Sequence, residues 1–168
     1  MGVNGCNKGK TFERYVAKFL TERTGVEFFR TANSGAYATI HKGKSLAVDG
    51  QRGDVTYDHN LLKNWYTNIE CKSYKNLNIM YDMQNAKSDI RKWIDKLDKE
   101  GKEDWLLIVK SNQRPIMYFT RSLRSGKLAN NRVVELHKGI FCGRFTINGF
   151  EEIDFGLLEN LCIVNEEG

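Results

Sequence analysis

The residues best placed to do chemistry are Asp54, in Gly53-Asp54-Val55, and Glu70 and Lys72, in Asn68-Ile69-Glu70-Cys71-Lys72. If Tyr66 to Lys72 is a strand, its side chains alternate between faces. Glu70 and Lys72 then point one way, and Ile69 and Cys71 point the other way into a core. Asp54, starting an earlier short strand, can bring a second carboxylate to the first. Two hard oxygen ligands can hold Mg²⁺ and leave positions for water and a phosphate oxygen. Such a metal lowers the pKa of bound water and neutralises charge developing on phosphorus. The Lys72 ammonium beside it can orient water and stabilise the transition state. The competing account is a plain ion pair on a solvated sheet face. A second acid-x-Lys triplet, Glu100-Gly101-Lys102, lies in a charged stretch that reads as a helix end. Only Glu70 sits in an apolar-polar alternation after a turn-like segment, Asp58 to Asn64.

The elements that must position these groups come next. Thr11 to Thr24 reads as a helix with Phe12, Tyr15, Val16, Phe19 and Leu20 on one face. Glu13 lies at the edge of that stripe and can look toward Asp54 and Glu70, or simply complement the dipole of a first turn. Val26 to Arg30 reads as an edge strand. In the turn after it, Ser34 and its neighbouring amides suit a phosphate or an ordinary Ser-Gly turn. Tyr74 to Asp82 reads as a connector, and Met83 to Lys99 as one helix with Met83, Ala86, Ile90, Trp93, Ile94 and Leu97 inward. Lys87, Arg91, Lys92 and Lys96 fall on its other faces, and Gln84 at its start. Trp93 reads as core rather than as a base-stacking surface. Trp105 to Lys110 is a continuous apolar run that suits a central strand. Pro115 to Thr120 is the next strand, across the turn Ser111 to Arg114. Val133 to Leu136 and Ile140 to Ile147 read as short strands and Phe155 to Leu161 as a closing helix.

The order Gly9-Lys10-x-Phe12-Glu13-Arg14, Arg30-x-x-x-Ser34-Gly35, Gly53-Asp54-Val55 and Ile69-Glu70-Cys71-Lys72 resembles the Holliday-junction resolvases of archaeal and phage type, within the PD-(D/E)XK nucleases. The resemblance covers about the first 110 residues. It implies an α/β fold, a restriction-endonuclease-like core with a mixed central sheet flanked by helices. It implies an active centre of Glu13, Asp54, Glu70 and Lys72, with Ser34 as the loop serine of junction cleavage. It also implies Mg²⁺ or Mn²⁺, held by Asp54, Glu70 and Glu13, and a homodimer on branched DNA. Lys10, Arg14, Arg30, Ser34, Lys42, Lys44 and Arg52 are the expected DNA contacts. Seventeen residues, Ala36 to Arg52, separate Ser34-Gly35 from Gly53, more than in the compact archaeal enzymes. This segment, with His41, Lys42, Lys44 and Arg52, reads either as a DNA-contacting loop or as a surface hairpin.

Composition bounds these readings. A chain of 168 residues reads as a single nuclease domain, with a core of about 8–120 and a C-terminal β/α extension of about 121–168. The extension could add to the sheet, cap the core or mediate dimerisation through Phe141, Phe145 or Phe150. No apolar run approaches membrane-spanning length, the first residues lack a signal-peptide core, and Met1-Gly2 followed by Cys6 does not complete a myristoylation pattern. Four cysteines with no Cys-x-x-Cys pair suit neither a zinc site nor a disulfide framework, so a reducing cytoplasm is expected, that of the host if a phage encodes the chain. The net charge of +5 is uneven: residues 1–53 carry nine Lys/Arg against four Asp/Glu. Lys110 to Arg144 holds eight bases and one acid, whereas Phe145 to Gly168 holds six acids and no base. Basic blocks draw a chain to polyanions by counterion release. Two rivals remain open: a PD-(D/E)XK nuclease with another substrate (nicking, restriction or repair), and a nucleic-acid-binding module without catalysis. Asp58-His59-Asn60 has no second metal-binding His at a suitable spacing and reads as a turn.

Overall fold

A computed structural model describes residues 5–31, 52–62, 65–99, 105–121, 142–147 and 151–161. The chain divides into two compact units, Met1–Cys71 with Asn165–Gly168, and Lys72–Val164. Each is α/β, and the strand pairing is mixed, parallel and antiparallel.

In the first unit, helix α1 (Gly5–Thr24) packs on strands β1 (Phe28–Arg30) and β3 (Val55–Tyr57). It starts at Gly5, earlier than the expected Thr11. Residues before Thr11 carry no apolar stripe to announce a helix, but extending one already formed costs little per residue. Phe12, Val16, Ala17 and Leu20 are buried; Tyr15, expected inward, is half exposed at 50 %. Gly25, at φ +72°, ends the helix with its N–H on the Thr21 carbonyl at 2.9 Å. Thr21 Oγ1 then accepts from the Phe28 N–H at 2.9 Å, which ties the helix end to β1. β1 pairs antiparallel with β3, and β3 antiparallel with β4 (Asn68–Tyr74), with Val55 opposite Ile69. The short β2 (Arg52–Gly53) runs parallel to β4. Phe28, Tyr57 and Trp65 pack as an aromatic cluster with ring centroids 4.6–5.6 Å apart.

The second unit takes up the end of β4. Its further strands lie in the order β5 (Trp105–Ser111), β6 (Met117–Arg121), β8 (Glu151–Leu157) and β7 (Cys142–Ile147), each antiparallel to the next. Trp105 to Val109 are all fully buried, as expected of a strand covered on both faces. The turn between β5 and β6 closes with the Arg114 N–H on the Ser111 carbonyl at 3.2 Å.

Several expectations are corrected here. The single helix over Met83 to Lys99 is two: α2 (Ile79–Gln84) and α3 (Asp89–Lys99). Asn85 Oδ1 accepts from the Lys87 N–H, and Ser88 Oγ accepts from the Arg91 N–H, so local side chains end one helix and cap the next. Gln84 consequently ends a helix instead of starting one, and Ala86 is exposed. Arg91, which falls outside the expected apolar stripe, is buried at 8 % exposure. Phe155 to Leu161 is not a helix: Ile153, Phe155 and Leu157 alternate along β8, and only Leu158–Asn160 forms a 3-10 turn. The C-terminal segment therefore adds strands to the sheet. Residues Val133 to Leu136, Phe141 and Phe150 lie outside the described residues, as does the side chain of Phe145.

Candidate active site

The site is built on a turn that only glycine can make. Gly53 has φ +86°, where a side chain is strained. A Cβ there would also lie 2.4 Å from the Ile69 carbonyl oxygen and 2.7 Å from the Ile69 nitrogen. The turn thus lies directly against β4 and delivers Asp54 to it. Asp54 is held by three bonds. Its N–H donates to the Ile69 carbonyl at 2.7 Å, and its carbonyl accepts from the Thr31 N–H at 2.9 Å. Its Oδ2 accepts from the Cys71 N–H at 2.8 Å. The carboxylate is thereby fixed to the backbone of the segment that presents Glu70. Along β4, Ile69 and Cys71 are buried while Glu70 and Lys72 are part-exposed, which is the expected alternation. Lys72 is the next position on the strand face of Glu70.

Glu13 is placed differently. It stands well inside α1, whose first turn holds no acid, so the dipole account does not apply. Its Oε2 lies 3.3 Å from Arg30 Nη1, and the two side chains are only 16 % and 25 % exposed. Arg30 is opposite Val55, and Val55 opposite Ile69, so its strand position is on the face away from Glu70. Among the described residues, no three His, Cys, Asp or Glu side chains form a group that could hold a metal. Asp54 and Glu70 are thus brought to one segment of strand, and Glu13 is held by Arg30.

A family model described as "Phage putative PDDEXK endonuclease" matches residues 4–150. The chain belongs to this family. The match spans Glu13, Asp54, Glu70 and Lys72. The chain is also 30 % identical, over 123 residues, to protein D14 of Escherichia phage T5, covering 72 % of this chain and 67 % of that protein. Comparison with solved structures gives no match.

PD-(D/E)XK nucleases typically use a divalent metal. The donors here fit one: Mg²⁺ is commonly bound by one or two carboxylates, keeping waters and taking substrate phosphate oxygens for the rest. A two-carboxylate site needs no third acidic side chain. The Cys71 N–H supplies the kind of outer hydrogen bond that orients a ligating carboxylate.

Of the expected DNA contacts, Lys10 and Arg14 are exposed on α1 and make no ion pair among the described residues. With Lys18 they form a four-residue-spaced cationic stripe. Arg14, Lys18 and Arg30 also line an open cleft with Phe28 and Phe29. Arg30 itself is engaged with Glu13. Ser34, Lys42 and Lys44 lie outside the described residues, as does the Arg52 side chain. Asp58-His59-Asn60 is turn chemistry, as expected: Asp58 Oδ1 accepts from both Asn60 nitrogens at 3.0 Å, and the His59 ring packs on Tyr57. No role was given from sequence to two contributors, Gly53 and the Cys71 N–H. Glycine immediately before the acid is the visible signal for the first; a main-chain donor leaves no signal at all. No described helix is long and apolar enough to cross a membrane.

Proposed function

We propose that this chain is a metal-dependent DNA endonuclease that cuts four-way junctions as a homodimer. The observation that carries the reading is the anchoring of Asp54 to the Cys71 N–H, beside Glu70 and Lys72. In this reading Asp54 and Glu70 would hold Mg²⁺, which would supply a more acidic water and charge neutralisation at phosphorus. Lys72 orients the attacking water and meets the non-bridging phosphate oxygens as charge develops. Glu13 acts through Arg30: by holding the guanidinium it presents a fixed cation to the DNA backbone. Ser34 contacts a phosphate near the cut strand.

The dimer follows from the task. Resolving a junction takes two incisions on opposing strands, and one site per chain makes one at a time. A two-fold assembly presents two identical sites to a branch of matching pseudo-symmetry. The cations of α1 would then follow phosphates with little base readout. The test is incubation with labelled four-way junction, linear duplex and single strand, with Mg²⁺, with Mn²⁺ and with chelator. Light scattering with and without junction reads the stoichiometry. Paired cuts in the junction, metal-dependent and faster than in duplex, are expected. A monomer that cuts linear duplex as fast as the junction would reject the resolvase reading and leave a nuclease of another substrate class. Absence of cleavage with any divalent ion would leave the binding-module account.

A further inference from the structure

We infer that Tyr74 and Trp93 form a stacking site for one unpaired nucleobase, next to the phosphate that Lys72 meets. The inference rests on the nuclease reading for the role of Lys72, and on the second unit's own geometry for the rest. Tyr74 ends β4, on the strand face of Lys72 and about 7 Å along the strand from it. Tyr74 is 42 % exposed, and its ring is tilted against the Trp93 ring, with centroids 4.9 Å apart. Trp93 is in turn packed against the core formed by Ile90, Ile94, Leu97 and the strands. A core-anchored indole thus backs an aromatic ring that presents itself to solvent. That is a rigid surface with little rotamer freedom left to lose on binding.

The surroundings favour nucleic acid over an apolar partner. Lys75, Lys92 and Lys96 are exposed close by in sequence, Lys92 3.4 Å from Asp89. A polyanion with flat apolar rings matches cations around an aromatic face. In a duplex the base faces are already stacked on each other. Only an unpaired base, at a branch point, a flap or a single strand, offers a free face to Tyr74. The pair would therefore contribute a preference for unpaired nucleotides beside the cut. The simpler account is that the two rings only cover an edge of the core.

The test uses the full chain carrying Asp54→Asn, in chelator, so that binding is read without cleavage. The probes are oligo-dT, a four-way junction and a fully paired duplex. Tyr74→Ala is expected to weaken oligo-dT binding by about 5- to 150-fold, with duplex binding unchanged. Tyr74→Phe, which keeps the ring, restores the affinity. Oligo-dT should also quench tryptophan fluorescence in the parent and not in Tyr74→Ala, because Trp65 and Trp105 are buried at 4 % and 0 % exposure and Trp93 is the tryptophan at the site. Equal loss on duplex and single strand, loss on neither, or failure of Tyr74→Phe to rescue overturns the proposal. The nuclease reading is judged separately, by Mg²⁺-dependent cutting with Asp54 intact. A protein that stacks oligo-dT but cuts nothing keeps the stacking site and loses the nuclease.

Discussion

Replacing Gly53 by alanine should destroy the site without removing any chemical group from it. The added Cβ would sit 2.4 Å from one backbone atom of Ile69 and 2.7 Å from another, in the middle of β4. It would also lie 2.8 Å from Asn68 Oδ1. Backbone in a paired strand cannot swing aside as a side chain can, so the turn must lift. Lifting breaks the bond from the Asp54 N–H to Ile69, worth about 1 kcal/mol. It also breaks the bond from the Cys71 N–H to the carboxylate, worth about 1.5–3 kcal/mol as a bond to a charged group. The left-handed backbone adds about 1–2 kcal/mol for any residue with a Cβ. The expected loss is roughly 3.5–6 kcal/mol, or a melting temperature roughly 7–24 °C lower. Cleavage should fall with it even where the variant stays folded, because Asp54 is no longer held beside Glu70. Gly25 provides the control. It has φ +72°, but a Cβ there meets nothing within 4 Å. Gly25→Ala should therefore cost only the backbone term of about 1–2 kcal/mol and leave cleavage intact. Thermal and urea unfolding of both variants, with cleavage assayed at 25 °C, decide the matter. If Gly53→Ala and Gly25→Ala lose the same small amount and both cut DNA, the close approach to β4 is not what positions Asp54.

The near-isosteric Asp54→Asn and Glu70→Gln should each lower cleavage at least about 100-fold while melting like the parent and binding DNA as well or better; Lys72→Ala should lose activity to a similar degree. Full Mg²⁺ turnover by Glu70→Gln would remove that residue from the site. Converting Lys10 and Arg14 to Gln should weaken binding to all DNA sequences alike. It should also lower the slope of log affinity against log salt by about 0.9 for each phosphate that is no longer neutralised, measured by anisotropy at several salt concentrations. An unchanged slope would move the DNA to another face. Asp98→Ala should cost about 2–4 kcal/mol in urea unfolding. It strips the acceptor from the buried Trp105 Nε1–H and from Arg121 Nε, each at 2.8 Å from Asp98 Oδ1. A loss under about 1 kcal/mol would show that water replaces both bonds.

What the chain disclosed in advance depended on the length and purity of each pattern. Trp105 to Val109 suited a buried strand, because an unbroken apolar run leaves no polar face. The alternation of Ile69, Glu70, Cys71 and Lys72 was equally plain, since a half-exposed strand writes its two faces directly into the sequence. Elsewhere two periods competed. Phe155, Leu158 and Leu161 fit a helix, whereas Ile153, Phe155 and Leu157 fit a strand. Pairing with β6 decided for the strand, and no single-chain pattern contains that partner. Met83, Ala86 and Ile90 carried helical spacing straight across a break. There the informative residues were the polar ones, Asn85 and Ser88, whose side chains bond local amides.

The same division applies inside the site. Glu70 and Lys72 were legible because their relation is local: two positions apart on one strand. Asp54 was legible as a candidate, but its arrival beside them depends on a positive φ at Gly53 and on a main-chain donor at Cys71, residues whose own side chains take no part. Glu13 was legible as an acid at the margin of an apolar stripe. That its carboxylate lies 3.3 Å from Arg30 was not legible, because the guanidinium comes from a separate strand. A motif search therefore recovers the candidate groups of such a site and passes over what positions them. The glycine before the aspartate is the more demanding position of the two: asparagine at 54 retains an acceptor for the Cys71 N–H, whereas any side chain at 53 collides with Ile69.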